Sequence, residues 1–142
     1  MSLEWTDDLV LGVDEIDRQH RAMFDIFNRL SLACHGTELR PLMEHLDALE
    51  HLVTLHFETE KRLMVEHAYP AAELQHREHV QFASAMAEVR RMADTGGPSR
   101  QLGAMVAGSM VQWIVRHIRE YDRELACHLK KMLPEPSGRS AL

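Results

Sequence analysis

Chain-breaking residues divide these 142 residues into four long segments, and that division constrains the fold more than any other feature. Gly36-Thr37, Tyr69-Pro70 and Asp94-Thr95-Gly96-Gly97-Pro98 interrupt the chain, and Pro134 with Pro136 closes the last segment. The residue before a proline avoids helical backbone, so Tyr69 marks a helix boundary. Between the breaks, residues of one kind return every three or four positions, the repeat of one helix face. Ile16, His20, Phe24, Phe27 and Ser31 form the first stripe, with Asp14 expected as N-cap and Asp17 in the first turn. Leu49, Leu52, His56, Glu60 and Leu63 form the second, behind Pro41, which suits a helix first turn. Gln75, His79, Phe82, Met86 and Val89 form the third, in a helix starting near residues 71–73 and stopping at Asp94. Val106, Met110, Trp113, His117 and Tyr121 form the fourth, from a cap at Ser99 to Leu133. No strand-like alternation competes with this reading.

Four helices joined by short links pack most simply as an antiparallel up-down-up-down bundle. The expected fold is therefore all-α, a four-helix bundle within residues 1–133. Trp5, Leu9, Leu11 and Val13 carry enough apolar surface to lay an N-terminal arm across it, and residues 134–142 are expected to be a frayed polar tail.

Composition removes several function classes. Hydrophobic residues at 45% and charged residues at 27% match a folded globular chain rather than a disordered one. A net charge of −6 argues against nucleic acid, whose phosphates need a basic face. The acidic N-terminus is unlike a signal peptide, and the nearly apolar run from Gly103 to Val115 is too short for a bilayer and contains Gln112. Cys34 and Cys127 form no CxxC pair, so neither a thiolate zinc site nor a disulfide scaffold is suggested, and a cytoplasmic location is expected. Both are expected as buried or half-buried free thiols, with a bridge between the first and last helices left open.

The informative feature is that metal-competent side chains sit inside every apolar stripe. His20 lies between Ile16 and Phe24, His56 and Glu60 between Leu52 and Leu63, His79 between Gln75 and Phe82, and His117 between Trp113 and Tyr121, with Asp122 five residues on. A buried imidazole or carboxylate costs several kcal/mol unless it is hydrogen-bonded, paired or coordinated. One such histidine is most simply satisfied by a carbonyl. Four helices each contributing is different, because bundles build metal sites from side chains on facing helices. Imidazole and carboxylate without thiolate suit iron, manganese or zinc, and two carboxylates among several histidines suit two metals. His117 and Asp122 are about 500° apart along the helix, so their side chains diverge by about 140° on regular geometry. A π-type turn would swing them together, and such turns favour functional sites.

This ordered pattern resembles the hemerythrin family in its single-domain bacterial form, over nearly the whole chain from Trp5 to Leu133. The resemblance rests on Val13-Asp14-Glu15-Ile16-Asp17-Arg18-Gln19-His20, the HxxxE at His56–Glu60, Tyr69-Pro70, Glu78-His79-Val80-Gln81-Phe82, Trp113-Ile114-Val115-Arg116-His117, and the HxxxxD that Asp122 completes. It implies a non-haem di-iron centre of two iron ions with an oxo or hydroxo bridge, binding O2 reversibly and accepting small anions. Carried over, His20 and His56 would hold one iron, His79 and His117 the other, and Glu60 and Asp122 would bridge. Phe24, Trp113 and Ile114 would wall an apolar O2 pocket.

One position departs from the family pattern. Its third-helix HxxxH begins here with Gln75, and the histidine is displaced to His76. The phase of His79, Phe82 and Met86 puts Gln75 on the core face and His76 about 100° away. Gln75 as a weak ligand, water in the vacancy, and His76 as ligand are the three readings, with a missing histidine favoured over His76. The remaining His35, His45, His51, His67 and His128 read as surface residues, and the nine methionines as core filler. Reversible O2 binding for storage, delivery or sensing is the leading function. A di-iron oxidase or peroxidase, a fast-autoxidising redox or O2 sensor, and a metal-free bundle are the alternatives.

Overall fold

The computed structural model describes residues 3–132. It is an all-α, antiparallel four-helix bundle: α1 spans Asp14–Cys34, α2 Leu39–Glu66, α3 Ala72–Gly96, and α4 residues 100–132. α4 is one rod of mixed winding. Its α-helical stretches Arg100–Ala104, Val111–His117 and Arg123–Met132 are separated by π-helical turns at Met105–Met110 and Ile118–Asp122. Leu133 and the expected tail at 134–142 lie outside the described residues.

The helix ends follow local chemistry, with two departures from expectation. Asp14 is the first helical residue rather than the cap; Val13 precedes it and gives no side-chain cap. Asp17 binds the incoming backbone instead, its Oδ1 accepting from Leu11 N at 2.9 Å and its Oδ2 from Gly12 N at 3.0 Å. Gly12 has φ +87°, a left-handed turn that glycine takes without steric cost. α3 continues through Gly96, past the expected stop at Asp94, because Gly97 at φ +63° ends it, donating to Ala93 O at 2.9 Å. Ser99 caps α4 as expected, accepting from Leu102 N at 3.0 Å.

The core is formed by the stripes themselves. Ile16, Met23, Phe27 and Leu30 of α1 pack with Leu42, Leu46 and Leu49 of α2, Phe82 and Val89 of α3, and Val106 and Met110 of α4. Phe27 and Phe82 meet edge to face at 6.5 Å between centroids. Each such side chain contributes about 1.5–3 kcal/mol through burial. Met23, Met64, Met86 and Met110 are the expected filler, whereas Met132 is exposed. Gly103 lets α4 approach α1 closely, since a Cβ there would sit 3.4 Å from Cys34 Cβ.

The N-terminal arm lies along α1 and beside the second half of α4, and is latched at several points. Leu3 N donates to Asn28 Oδ1 at 2.6 Å, and Asn28 Nδ2 donates back to Leu3 O at 2.9 Å. Trp5 packs edge-on to Phe24 at 5.2 Å with the Arg21 guanidinium over its ring, while Asp8 pairs with Arg119 at 2.8 Å. At the α2–α3 turn, His128 is half-buried rather than a free surface residue: its Nε2 bonds the His67 carbonyl at 2.7 Å, and His67 Nδ1 bonds Leu63 O at 2.9 Å. Cys34 is buried and free, its thiol pushed up to about 11 by burial. Cys127 is exposed, against expectation, and the two form no bridge. Among the described residues, no helix is long and apolar enough to cross a membrane.

Candidate metal centre

The stripe positions turn six metal-competent side chains toward a single point. His20 comes from α1, His56 and Glu60 from α2, His79 from α3, and His117 and Asp122 from α4. Five of the six have no exposed surface, and His79 keeps 7%. They form two overlapping groups: His20, His56, Glu60 and Asp122, and Glu60, His79, His117 and Asp122, each with its donor atoms within 4.8 Å of one another. The two carboxylates belong to both.

Each carboxylate divides its oxygens between the groups. Glu60 Oε2 lies 3.5 Å from His56 Nε2, and Glu60 Oε1 lies 2.9 Å from His79 Nε2. Asp122 Oδ2 lies 2.9 Å from His20 Nε2, and Asp122 Oδ1 lies 3.1 Å from His117 Nε2. His20 Nε2 and His56 Nε2 face each other at 3.2 Å, where at most one proton fits between two lone pairs. Glu60 Oε2, His79 Nε2 and His117 Nε2 are buried, close to oppositely polarised atoms, and still make no hydrogen bond. Lone pairs converging on a common point rather than on each other fit a pair of cations, and leaving them unpaired would cost about 1–3 kcal/mol each.

The π turn at Ile118–Asp122 makes this possible on α4. On regular helix His117 and Asp122 would diverge; the wider turn brings their donor atoms to 3.1 Å. The sequence mismatch was the visible signal, and the structure resolves it as expected.

Other partners gave no periodic signal. Gln19 Oε1 stands 2.7 Å from His56 Nδ1, and Gln19 Nε2 donates to Thr59 Oγ1 at 3.0 Å, which itself donates to Leu55 O. This chain makes Nδ1 the protonated nitrogen of His56 and leaves Nε2 free for a cation. Glu78 is buried, 3.5 Å from His117 Nδ1 and 3.4 Å from Arg116. Both are polar residues next to the metal-competent ones rather than at stripe positions, so only the fold connects them.

The chain compares with known proteins as follows. Residues 11–129 match the profile of the hemerythrin HHE cation binding domain. A bacteriohemerythrin of Stenotrophomonas maltophilia is 33% identical over 132 residues, 92% of this chain and 84% of that protein. The chain belongs to the hemerythrin family. A bacteriohemerythrin of Pseudomonas aeruginosa is 29% identical over 84% of this chain and 76% of that protein. A crystal structure of a hemerythrin variant superposes with a TM-score of 0.79 at 24% identity, covering 91% of this chain and 98% of that one. Hemerythrins hold a di-iron centre, and the imidazole and carboxylate donors gathered here fit it.

Within this hemerythrin bundle Gln75 faces inward, 2% exposed, and its Nε2 donates to Asp122 Oδ1 at 2.6 Å and reaches toward Glu60 Oε1 at 3.4 Å. His76 is exposed on the outside of α3 and belongs to neither donor group. The expected O2 pocket residues divide between the two ends of the hemerythrin site. Phe24 is buried beside Trp5, whose ring lies 6.5 Å from His20, whereas Trp113 stacks on His117 at 4.5 Å and Ile114 is buried one residue on. Phe57, which lies one position off the α2 stripe, stacks on His79 at 3.9 Å and completes that wall with Phe82.

Burial sets the intrinsic charge state of the site's own side chains. It pushes His56 down to about 4, and burial with the neighbouring His117 ring pushes His79 down to about 3, so both are neutral and able to ligate. Burial and then the adjacent Asp122 charge raise Glu60 well above the usual carboxylate range. Burial would raise Asp122 too, but His117, His20 and His56 outweigh it and hold its carboxyl well below that range.

Proposed function

We propose that this chain binds O2 reversibly at a carboxylate-bridged di-iron centre. His20 and His56 would hold one iron and His79 and His117 the other, with Glu60 and Asp122 shared between the two groups. The observation that carries this reading is the division of each carboxylate's oxygens between the two histidine groups. When bound, the two ferrous ions supply the electrons that O2 takes up and returns. The protein holds the rings in place: Gln19 orients His56 through a hydrogen bond, Trp113 stacks on His117, and Phe24, Trp113 and Ile114 exclude water, which slows irreversible oxidation. Small anions would compete with O2 for the same centre. The free thiols of Cys34 and Cys127 favour a reducing, cytoplasmic setting.

Gln75 acts as a hydrogen-bond donor to the bridging carboxylates rather than as a ligand, its short contact with Asp122 supporting that role. Each iron would then be held by two histidines, with Gln75 standing where the resemblance expects a further imidazole. This observation also favours a second reading, a di-iron peroxidase or a fast-autoxidising sensor. An optical titration of ferrous-loaded protein through repeated anaerobic and aerobic cycles tests the leading function. A spectrum that returns on each cycle supports reversible binding; sustained turnover of added peroxide supports the second reading instead.

A further inference from the structure

We propose that Tyr121 is a redox outlet for the metal centre. When the iron-loaded protein meets hydrogen peroxide, single electrons leave Tyr121 through the stacked ring of His117, and a one-electron donor at the surface replaces them. His117 lies between two aromatic rings of α4. Trp113, one turn before it, stacks at 4.5 Å between centroids and 10° between planes; Tyr121, one turn after it, stacks at 5.2 Å and 15°. The three rings form a nearly parallel column. Its middle member is a donor-group histidine with no exposed surface, and its last member is half-buried. Rings at these separations are in π contact, the overlap through which a single electron passes.

The other donor rings lack this arrangement. His79 stacks on Phe57 at 3.9 Å, but a phenyl ring gives up an electron far less readily than a phenol or an indole. The Trp5 ring is tilted 42° from His20 at 6.5 Å, and Tyr69, the chain's other tyrosine, meets His128 rather than a donor-group ring. Within the column, the proton decides where the oxidising equivalent comes to rest. Trp113 Nε1 is buried and makes no hydrogen bond among the described residues, so its N–H has no acceptor to take the proton. The Arg116 guanidinium stands 5.7 Å from the centroid of the Tyr121 ring and opposes a positive charge left there. The phenol therefore loses its O–H proton to solvent together with the electron, leaving a neutral tyrosyl radical. Hydrogen peroxide takes up two electrons and two protons to give two waters. Tyr121 passes these on one electron and one proton at a time. A hydrogen-atom donor such as ascorbate restores it after each, so two donor molecules are oxidised once each per peroxide.

This outlet rests on iron at His117, and the chain's two tyrosines allow it to be tested separately from that reading. Oxidised, iron-loaded protein mixed with hydrogen peroxide and rapidly frozen is expected to show an organic radical by electron paramagnetic resonance. Tyr121→Phe, which keeps the stacked ring and loses the phenolic O–H, is expected to lose that signal at unchanged iron content, with more oxidised His117 in peptide mass spectra. Tyr69→Phe is expected to keep it, and ascorbate is expected to erase it in the unsubstituted protein. In Tyr69→Phe the remaining tyrosine is Tyr121, so ring-deuterated tyrosine narrows the signal there and identifies its source should Tyr121→Phe alter the helical circular dichroism. Iron-loaded protein that forms no tyrosyl radical, keeps it in Tyr121→Phe, loses it in Tyr69→Phe, or holds it against ascorbate overturns the outlet alone. A chain that takes up no iron overturns the metal reading and the outlet with it.

Discussion

Gln75 Nε2 lies 2.6 Å from Asp122 Oδ1, so an amide donor occupies the inward-facing α3 position one turn before His79. The amide stabilises the negative charge of Asp122 and supplies no lone pair to a metal in this orientation. On the proposed reading, Gln75→His would supply a further imidazole to the centre. The lifetime of the oxygenated form, followed optically at constant O2, is expected to lengthen about tenfold, in the range by which residues around a metal tune it. An unchanged or shorter lifetime would refute this account of Gln75.

The shared carboxylates and the single histidines should respond differently to substitution. Glu60→Gln or Asp122→Asn removes a bridging charge from both groups, and both are expected to yield protein with almost no iron. His79→Ala removes a donor from one group only. It should retain about one tightly held metal ion per chain by elemental analysis after dialysis. Equal losses from all three variants would argue against bridging.

Gln19 holds His56 from the side away from the donor cluster. Gln19→Leu removes the 2.7 Å contact to His56 Nδ1 and frees the ring to rotate or change tautomer. Metal affinity, measured by competition with a chelator, should fall about 10–100-fold while the helical circular dichroism stays unchanged. Gln19→Glu, which keeps an acceptor for the same N–H, should recover most of it.

Acid should weaken the metal-free protein over a defined window. His56 and His79 have folded values of about 4 and about 3 against 6.5 unfolded. Groups depressed by folding contribute stability above the unfolded value and lose it as pH falls toward the folded one. Glu60 is raised from 4.5 and acts in the opposite sense, retaining in the folded state a proton that the unfolded chain releases. Between about pH 6.5 and 4.5 unfolding therefore takes up two protons and releases one. Stability should fall with decreasing pH by on the order of 1 kcal/mol per unit, read from urea midpoints at several pH values. Metal-loaded protein should show a flatter profile above pH 5, because coordination holds the rings neutral.

Much of this architecture is legible in residue spacing, for a physical reason. Helix periodicity fixes which face is buried, so a stripe containing His20, His56, Glu60 and His79 states both the fold and the location of its polar interior. Even the π turn is foreshadowed, because His117 and Asp122 cannot meet on a regular helix. Contacts between neighbours in space, which leave no period, are what spacing misses. Gln19 and Glu78 look like ordinary polar helix residues, and Phe57 sits one position off its stripe. Asp17, rather than Asp14, binds the arm because the chain turns back at Gly12, a tertiary event that capping preference does not contain.

The most direct test of the central claim, two irons joined through Glu60 and Asp122, is the magnetic state of the oxidised, iron-loaded protein with its metal content measured on the same sample. Bridged ferric ions couple antiferromagnetically. The account predicts two irons per chain and a low-temperature electron paramagnetic resonance spectrum with almost no signal. One iron per chain, or an isolated high-spin ferric signal accounting for all the iron, would contradict it.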